Sequence, residues 1–333
     1  MNKRKLLGCA AMAALATVAL ASCGSNADYE VGILQYATHT ALGKATDGFK
    51  QALKDKLPEG DTIKFTVKNP EGDASTMLTM ANTLVRNSDL VLGNATPAAT
   101  QLVSSAATEG KTDLPILFTS VTDPVSAGLV TAWSGSTHTE NVTGTSDINP
   151  IEAQADLIFD YDSTVDKIGF LYNISETNSQ VQCEAFTEYL TANYQSCTTE
   201  TETVSEQSQI SSAVTKLIND GCDAIYLPTD NLMASNITTI TNVTNPAKVP
   251  VYCGESGMVE NGGTMSLSIS YYELGYTTGE QAAEILFNGK SAKDVDVVAQ
   301  TDASKMEFAY NSDAMTAMSL TFTSDFKTKY NIA

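Results

Sequence analysis

Residues 90–119 read LVLGNATPAATQLVSSAATEGKTDLPILFT. Two short apolar runs, residues 90–93 and 116–119, flank a stretch of helical composition near residues 98–107. Apolar runs this short and this continuous read as strands buried on both faces, and the order strand, helix, strand sets the two strands side by side and parallel. The unit predicts an open α/β sheet with helices packed on its faces.

The same rhythm extends in both directions. Upstream, a strand over residues 29–35 leads into a helix over 41–56, and a strand over 63–67 into a helix over 75–85, where Met77, Met80, Ala81 and Leu84 repeat at helical spacing. After a loop rich in Gly, Ser and Thr the pattern restarts near Val142. Strands are expected over 167–172, 198–204, 224–227 and 249–252, with helices over 179–193, 208–219 and 232–241 between them. Two series of similar length imply two Rossmann-like lobes with parallel sheets. A run at 264–270, a long helix at 272–287 and a mixed tail complete the chain, and the tail is expected to return across a hinge.

The N-terminus carries an export signal. Lys3, Arg4 and Lys5 precede an apolar run over residues 6–20, too short for a stable membrane span. It closes on Leu20-Ala21-Ser22-Cys23-Gly24, small residues before a cysteine, the pattern of a thiol acylated before cleavage. Residues 1–22 are therefore expected to be a lipoprotein signal peptide, Cys23 the lipidated residue, and residues 23–28 a tether, with the two or more acyl chains that stable anchoring needs. The expected location is the extracytoplasmic face of the cell membrane.

Charge narrows the partners. With 19 Lys and Arg against 39 Asp and Glu the chain carries −20, and loss of the three basic residues of the leader makes the body −23. Such a surface repels nucleic acid phosphates. Arg86 is the one arginine beyond the leader, so a guanidinium clamp for a phosphate or dicarboxylate is hard to build. Cys183, Cys197, Cys222 and Cys253 read as buried thiols or as one or two disulfides, with pairing open. No Cys and His spacing suits a metal, and no cofactor motif is present. A catalytic set is also missing: there is no Gly-x-Ser-x-Gly elbow and no P-loop, and the two histidines, His39 and His138, read as solvated loop residues, with the mouth of a cleft as the alternative for His39. The chain is not expected to be an enzyme.

In open parallel sheets ligands bind beyond the carboxyl ends of the strands, where helix N-termini present unpaired N–H groups. With two lobes, both sets of strand ends face one cleft. The candidate binding residues are therefore Gln35 and Tyr36 after the first strand, Thr96 before Pro97, and Thr122 and Asp123 after residues 116–119. Ser146 and Asp147 follow at the restart, then Glu176, Asn178 and Ser179, then Thr229 and Asp230, and finally Tyr271 at the long helix. Hydroxyls, amides and single carboxylates suit a small polar solute. Asp123, Asp147 and Asp230 read either as acceptors for a solute ammonium or as turn and cap carboxylates. Thr96 and Ser179 read as N-caps, a role compatible with binding when the helix end faces the cleft. Tyr36, Tyr172 and Tyr271 are candidates to stack on an apolar solute group, or else core rings, and Trp133 is expected to pack beneath its loop.

These segments resemble the ABC transporter substrate-binding lipoproteins of the tryptophan/tyrosine type. The stretches that carry the resemblance are Ala95-Thr96-Pro97-Ala98-Ala99, Phe118-Thr119-Ser120-Val121-Thr122-Asp123-Pro124-Val125, Asn141-Val142-Thr143-Gly144-Thr145-Ser146-Asp147, Leu171-Tyr172-Asn173 with Glu176-Thr177-Asn178-Ser179, Leu227-Pro228-Thr229-Asp230-Asn231, and Ser270-Tyr271-Tyr272-Glu273-Leu274-Gly275. Tyr276-Thr277-Thr278 departs from the family, which often carries an arginine there. The resemblance implies a type I periplasmic-binding-protein fold with three hinge crossings, near Thr145, Ser270 and Lys290. It divides the body into an N-terminal lobe, 29–145 plus 271–290, and a C-terminal lobe, 146–270 plus 291–333. It implies a monomer that captures an amino-acid-like zwitterion, an aromatic amino acid, and hands it to ABC permease subunits driven by a separate ATPase. A neutral solute such as a nucleoside or sugar, and a sensory receptor built on the same fold, are the alternatives.

Overall fold

The computed structural model describes residues 27–134, 141–299 and 306–332. The signal peptide, Cys23 and His138 lie outside these residues.

The first lobe is built from β1 (Tyr29–Gln35), α1 (Thr40–Lys56), β2 (Ile63–Lys68), α2 (Ala74–Asn87), β3 (Leu90–Asn94), α3 (Thr96–Thr108), β4 (Ile116–Thr119) and β5 (Val142–Ser146). The second lobe starts with α4 (Ile151–Tyr161) and continues through β6 (Lys167–Asn173), α5 (Thr177–Asn193), β7 (Thr198–Val204), α6 (Ile210–Asn219), β8 (Ala224–Leu227), α7 (Asn231–Ser235), α8 (Ile237–Ala247), β9 (Val251–Cys253), α9 (Ser256–Glu260) and β10 (Met265–Ser268). The chain then returns to the first lobe as α10 (Tyr271–Leu286) and β11 (Val298–Ala299), and ends in the second with β12 (Glu307–Tyr310), α11 (Ser312–Met318) and α12 (Ser324–Lys329).

The two sheets share one topology. Strand order is β11-β5-β4-β3-β1-β2 in the first and β12-β10-β9-β8-β6-β7 in the second. All pairings are parallel except that of β10 with β12. The order reverses beside β1 and β6, and this switch point opens a crevice at the carboxyl ends of the strands. The central strands β3, β4 and β8 are buried along their whole length, as their unbroken apolar runs predict.

α1 shows how these helices form. Ala41, Leu42, Ala45, Phe49, Ala52 and Leu53 recur at three- and four-residue spacing and give one buried stripe. That stripe meets α10 where side chains are absent: a Cβ on Gly275 would lie 2.0 Å from the Ala45 carbonyl oxygen, and one on Gly48 would lie 2.1 Å from that of Tyr272. The backbones therefore cross in near contact. Tyr271 stands at the first turn of α10, so this crossing positions a hinge residue.

Two expectations need correction. The third crossing lies between residues 299 and 307, not near Lys290. Val298 pairs with Thr145 in the first sheet, and Ala292 and Val295 bury in the same cluster as Val31 and Phe49, so apolar contact holds residues 292–299 on the N-terminal lobe and not the C-terminal one. The single helix expected over 232–241 is two, α7 and α8, broken at Asn236. The four cysteines are free thiols; Cys183, Cys222 and Cys253 are buried.

Candidate functional site

A narrow cavity lies between the lobes. From the first lobe it is lined by His39 and Leu42 after β1, Thr96 after β3 and Ser120 after β4; the hinge adds Asp147 and Tyr271. The second lobe contributes Asn178 after β6, Thr229, Asp230 and Asn231 after β8, Ala234 of α7, and Glu255 and Met258 after β9. Every one of these follows the carboxyl end of a strand or opens the helix beyond it.

The lobes are closed over the cavity. His39 Nε2 lies 3.1 Å from Asn231 Oδ1, Thr122 Oγ1 lies 3.3 Å from Thr229 Oγ1, and Gln182 Nε2 donates to Thr122 Oγ1 at 3.4 Å. Asn261 Nδ2 donates to Thr40 Oγ1 at 2.8 Å, and Lys44 pairs with Glu260.

The hinge side is acidic. Asp147 accepts from Thr122 Oγ1 at 3.0 Å and from Tyr271 OH at 2.7 Å. Burial raises its pKa, while those two bonds act in the opposite sense. Glu255 caps α9 by accepting from the Gly257 N–H, and its other oxygen, Oε1, is buried with no partner among the described residues. Burial pushes this carboxyl up to about 7, against the pull of the Gly257 and Met258 N–H groups. The Tyr271 phenol, raised chiefly by its own burial, also feels the charges of Asp147 and Glu255, which places all three in one corner. A cation brought there would gain from both carboxylates.

The first-lobe side offers donors. α3 begins at Thr96 with its N-terminus on the cavity, and Ser120 Oγ is buried without a partner among the described residues. The residues that aim these groups are strained: Ala95 has φ 91° and Ser120 φ 56°, positions that favour glycine. An anion suits this end. Leu42, Ala234 and Met258 supply the apolar wall.

The structure sorts the sequence candidates into three groups. Thr96, Asp147, Asn178, Thr229, Asp230 and Tyr271 line the cavity. Thr122, Glu176 and Ser179 stand one bond behind it: Thr122 on Asp147, Glu176 on the Asn231 amide groups, and Ser179 on Asp230 at 2.9 Å. The four others are engaged elsewhere. Gln35 bonds Thr46 and the Ala37 carbonyl, Ser146 Oγ donates to the Thr122 carbonyl oxygen, and Tyr36 packs against the first-lobe core beside Gly72. Asp123 spends its carboxylate on Val125, Ser126 N and Ser126 Oγ, the turn role.

Asp230 is also a cap before it is anything else. It accepts from Met233 N, Asn173 N and Ser179 Oγ, tying α7, β6 and α5 together. Burial raises its pKa, and burial with the neighbouring Asp230 charge holds that of Glu176 well above the usual carboxylate range. Tyr172 lies outside the cavity, and Trp133 packs against the first-lobe core as expected. His39 departs from the solvated loop reading, because it lines the cavity and bridges the lobes. Glu255, Ser120 and Asn231 stand in strand-end segments that sequence position singles out, yet side-chain type alone does not rank them. Leu42, Ala234 and Met258 carry the same helical spacing as core residues, so nothing in the sequence separates them.

Comparison with known proteins agrees with this arrangement. Residues 30–327 match the family model described as ABC transporter substrate binding protein. A tyrosine-binding protein of Clostridioides difficile (strain R20291) is 33% identical over 347 residues, covering 99% of this chain and 96% of the relative. Among solved structures, an ABC domain in complex with L-Trp from Streptococcus pneumonia superposes with a TM-score of 0.81 at 33% identity, covering 91% of this chain and 98% of that one. The ligand-free, open structure of a substrate binding protein with adhesive properties from Clostridium difficile gives 0.66 at 31% identity, covering 89% and 97%. At nearly equal identity the tryptophan complex fits better than the open form, in keeping with the contacts that join the lobes here. A leucine binding protein from Thermotoga maritima, 11% identical with a TM-score of 0.60, shares the fold alone. Substrate-binding proteins of ABC importers work outside the cytoplasm, and among the described residues no helix is long and apolar enough to cross a membrane. The match across nearly the whole body and the closed interlobe cavity lead to one conclusion: the chain belongs to the family of ABC transporter substrate-binding proteins, with a type I periplasmic-binding-protein fold.

Proposed function

We propose that the protein captures an aromatic L-amino acid, tyrosine or tryptophan, in the cleft between its lobes. The observation that carries this reading is the division of one closed cavity into a buried acidic corner, Asp147 with Glu255, and a donor end, Thr96 with Ser120, across an apolar wall. An ammonium meets the two carboxylates, a carboxylate meets the α3 N-terminus and the Ser120 hydroxyl, and an aromatic ring lies against Leu42, Ala234 and Met258. The ligands of the two relatives, tyrosine and tryptophan, support the same assignment. A nucleoside or sugar carries no charge to repay the burial of Asp147 and Glu255.

Around this site the protein acts as a monomer anchored through acylated Cys23, and the closed lobes dock on permease subunits powered by a separate ATPase. A thermal-shift screen of the body from Ser25 onward tests the solute. Tyrosine and tryptophan are expected to raise the melting temperature by mass action, and nucleosides and sugars to leave it unchanged. A rise with a nucleoside or sugar and none with any amino acid would overturn the assignment.

A further inference from the structure

One residue of the cleft has its chemistry set by the opposite lobe. Asn231 Nδ2 donates to Glu176 Oε2 at 2.6 Å, which turns Asn231 Oδ1 toward His39. A carboxamide oxygen only accepts, so His39 Nε2, 3.1 Å away, must carry the proton of that bond. Burial lowers the imidazole pKa, against the Asn231 bond and the Glu71 charge, which favours the neutral ring. Nδ1 is then a bare acceptor. It is buried, lacks a partner among the described residues, and belongs to a residue that lines the cavity.

A solute ammonium does not need this atom, because the charged oxygens of Asp147 and Glu255 attract it more strongly than a neutral nitrogen does. What Nδ1 suits is a neutral donor. Asn178 repeats the pattern: its Nδ2 donates to the Thr229 carbonyl oxygen at 2.8 Å, and its Oδ1 is buried and unpartnered among the described residues. A cleft with neutral acceptors to spare, beyond what an amino acid's charged ends require, is built for a ligand with a further donor on its side chain.

We propose that His39 is a specificity-determining residue whose Nδ1 accepts a hydrogen bond from the solute's ring, the phenolic O–H of tyrosine or the indole N–H of tryptophan, so that the cleft rejects phenylalanine. This rests on the aromatic amino acid reading above. The mechanism couples choice to closure: His39 belongs to the first lobe, and only contact with Asn231 of the second fixes which nitrogen is free. Phenylalanine fills the same space but leaves a buried acceptor bare, and a site built for a donor discriminates against the analogue that lacks it.

The test is calorimetric titration of tyrosine, tryptophan and phenylalanine into the wild type, His39→Leu and His39→Gln. In the wild type, phenylalanine is expected to bind about 10- to 100-fold more weakly than tyrosine. His39→Leu also loses the bond to Asn231, which weakens every ligand alike, so the ratio is the readout; it should fall to within about threefold. His39→Gln, with a carboxamide able to donate and accept, should recover part of the preference. A tryptophan against 1-methyltryptophan comparison in the wild type needs no variant, and loss of the indole N–H should weaken binding. A wild-type protein that binds phenylalanine within about threefold of tyrosine overturns the proposal, as does a His39→Leu protein that keeps the wild-type ratio. Failure of the wild type to bind all three amino acids would instead overturn the underlying assignment of the solute.

Discussion

Glu255 is held in a state that its ligand should change. Its carboxyl is raised from the ordinary 4.5 to about 7 by burial, while Oε1 stays unpartnered among the described residues. In the ligand-free protein the folded state holds a proton that the unfolded state has lost, so stability falls as pH rises from about 4.5 to about 7, by about 3 kcal/mol when complete. Asp147, Glu176 and Asp230 are raised too and act with the same sign. An ammonium reverses the preference, because it stabilises the charged carboxylate and drives the proton off. Affinity for tyrosine should therefore be weaker at pH 5 than at pH 8, with protons released on binding near pH 6. Glu255→Gln should flatten that profile, lower affinity at pH 8, and raise the melting temperature of the ligand-free protein there. Calorimetry in two buffers of different ionisation enthalpy measures the proton count, and a flat wild-type profile would remove Glu255 from the site. At this scale the sequence is least informative. Asp147 and Asp230 are both aspartates after strands, and only the structure shows that Asp147 faces the hinge corner while Asp230 is occupied by Met233, Asn173 and Ser179.

The elements were more legible, for a physical reason. A parallel sheet covered on both faces forces each central strand to be a short apolar run, and the helix between two strands to carry a stripe, so β3, α3 and β4 announce themselves within residues 90–119. What lacks that constraint was hidden. β11 is two residues long and β12 is a four-residue strand at a sheet edge, so neither leaves a period to read, and the sequence does not place the third crossing. The α1 and α10 crossing is likewise invisible without knowing that the two helices meet. It makes a sharp prediction. Gly275→Ala puts a methyl against the Ala45 carbonyl, a backbone atom that cannot swing away, and should cost about 1–3 kcal/mol and weaken tyrosine binding by shifting Tyr271. Gly43→Ala is the control, because a methyl at that position of α1 meets nothing within 4 Å and helical alanine is favoured over glycine; it should be neutral or stabilising. Equal melting temperatures for the two variants would show that the helices are free to separate.

On the scale of the whole molecule, two similar sheets place their strand ends opposite each other, and the chain crosses between them three times. A solute touching both halves stabilises the closed form by its differential affinity for that form alone. The contacts of His39, Thr122, Lys44 and Asn261 across the gap belong to that closed state. The proposed anchoring has its own test: Cys23→Ser should leave folding and binding intact while moving the protein from the membrane to the soluble fraction, and retention in the membrane would contradict acylation at Cys23. The most direct test of the account is titration calorimetry of the wild-type body with L-tyrosine and L-tryptophan, against L-leucine and uridine. Saturable one-to-one binding of the two aromatic amino acids is expected, with a dissociation constant on the order of micromolar or below, a negative heat-capacity change from burial of the ring, and far weaker heats from the other two. One-to-one binding of uridine with no heat from either aromatic amino acid would contradict it.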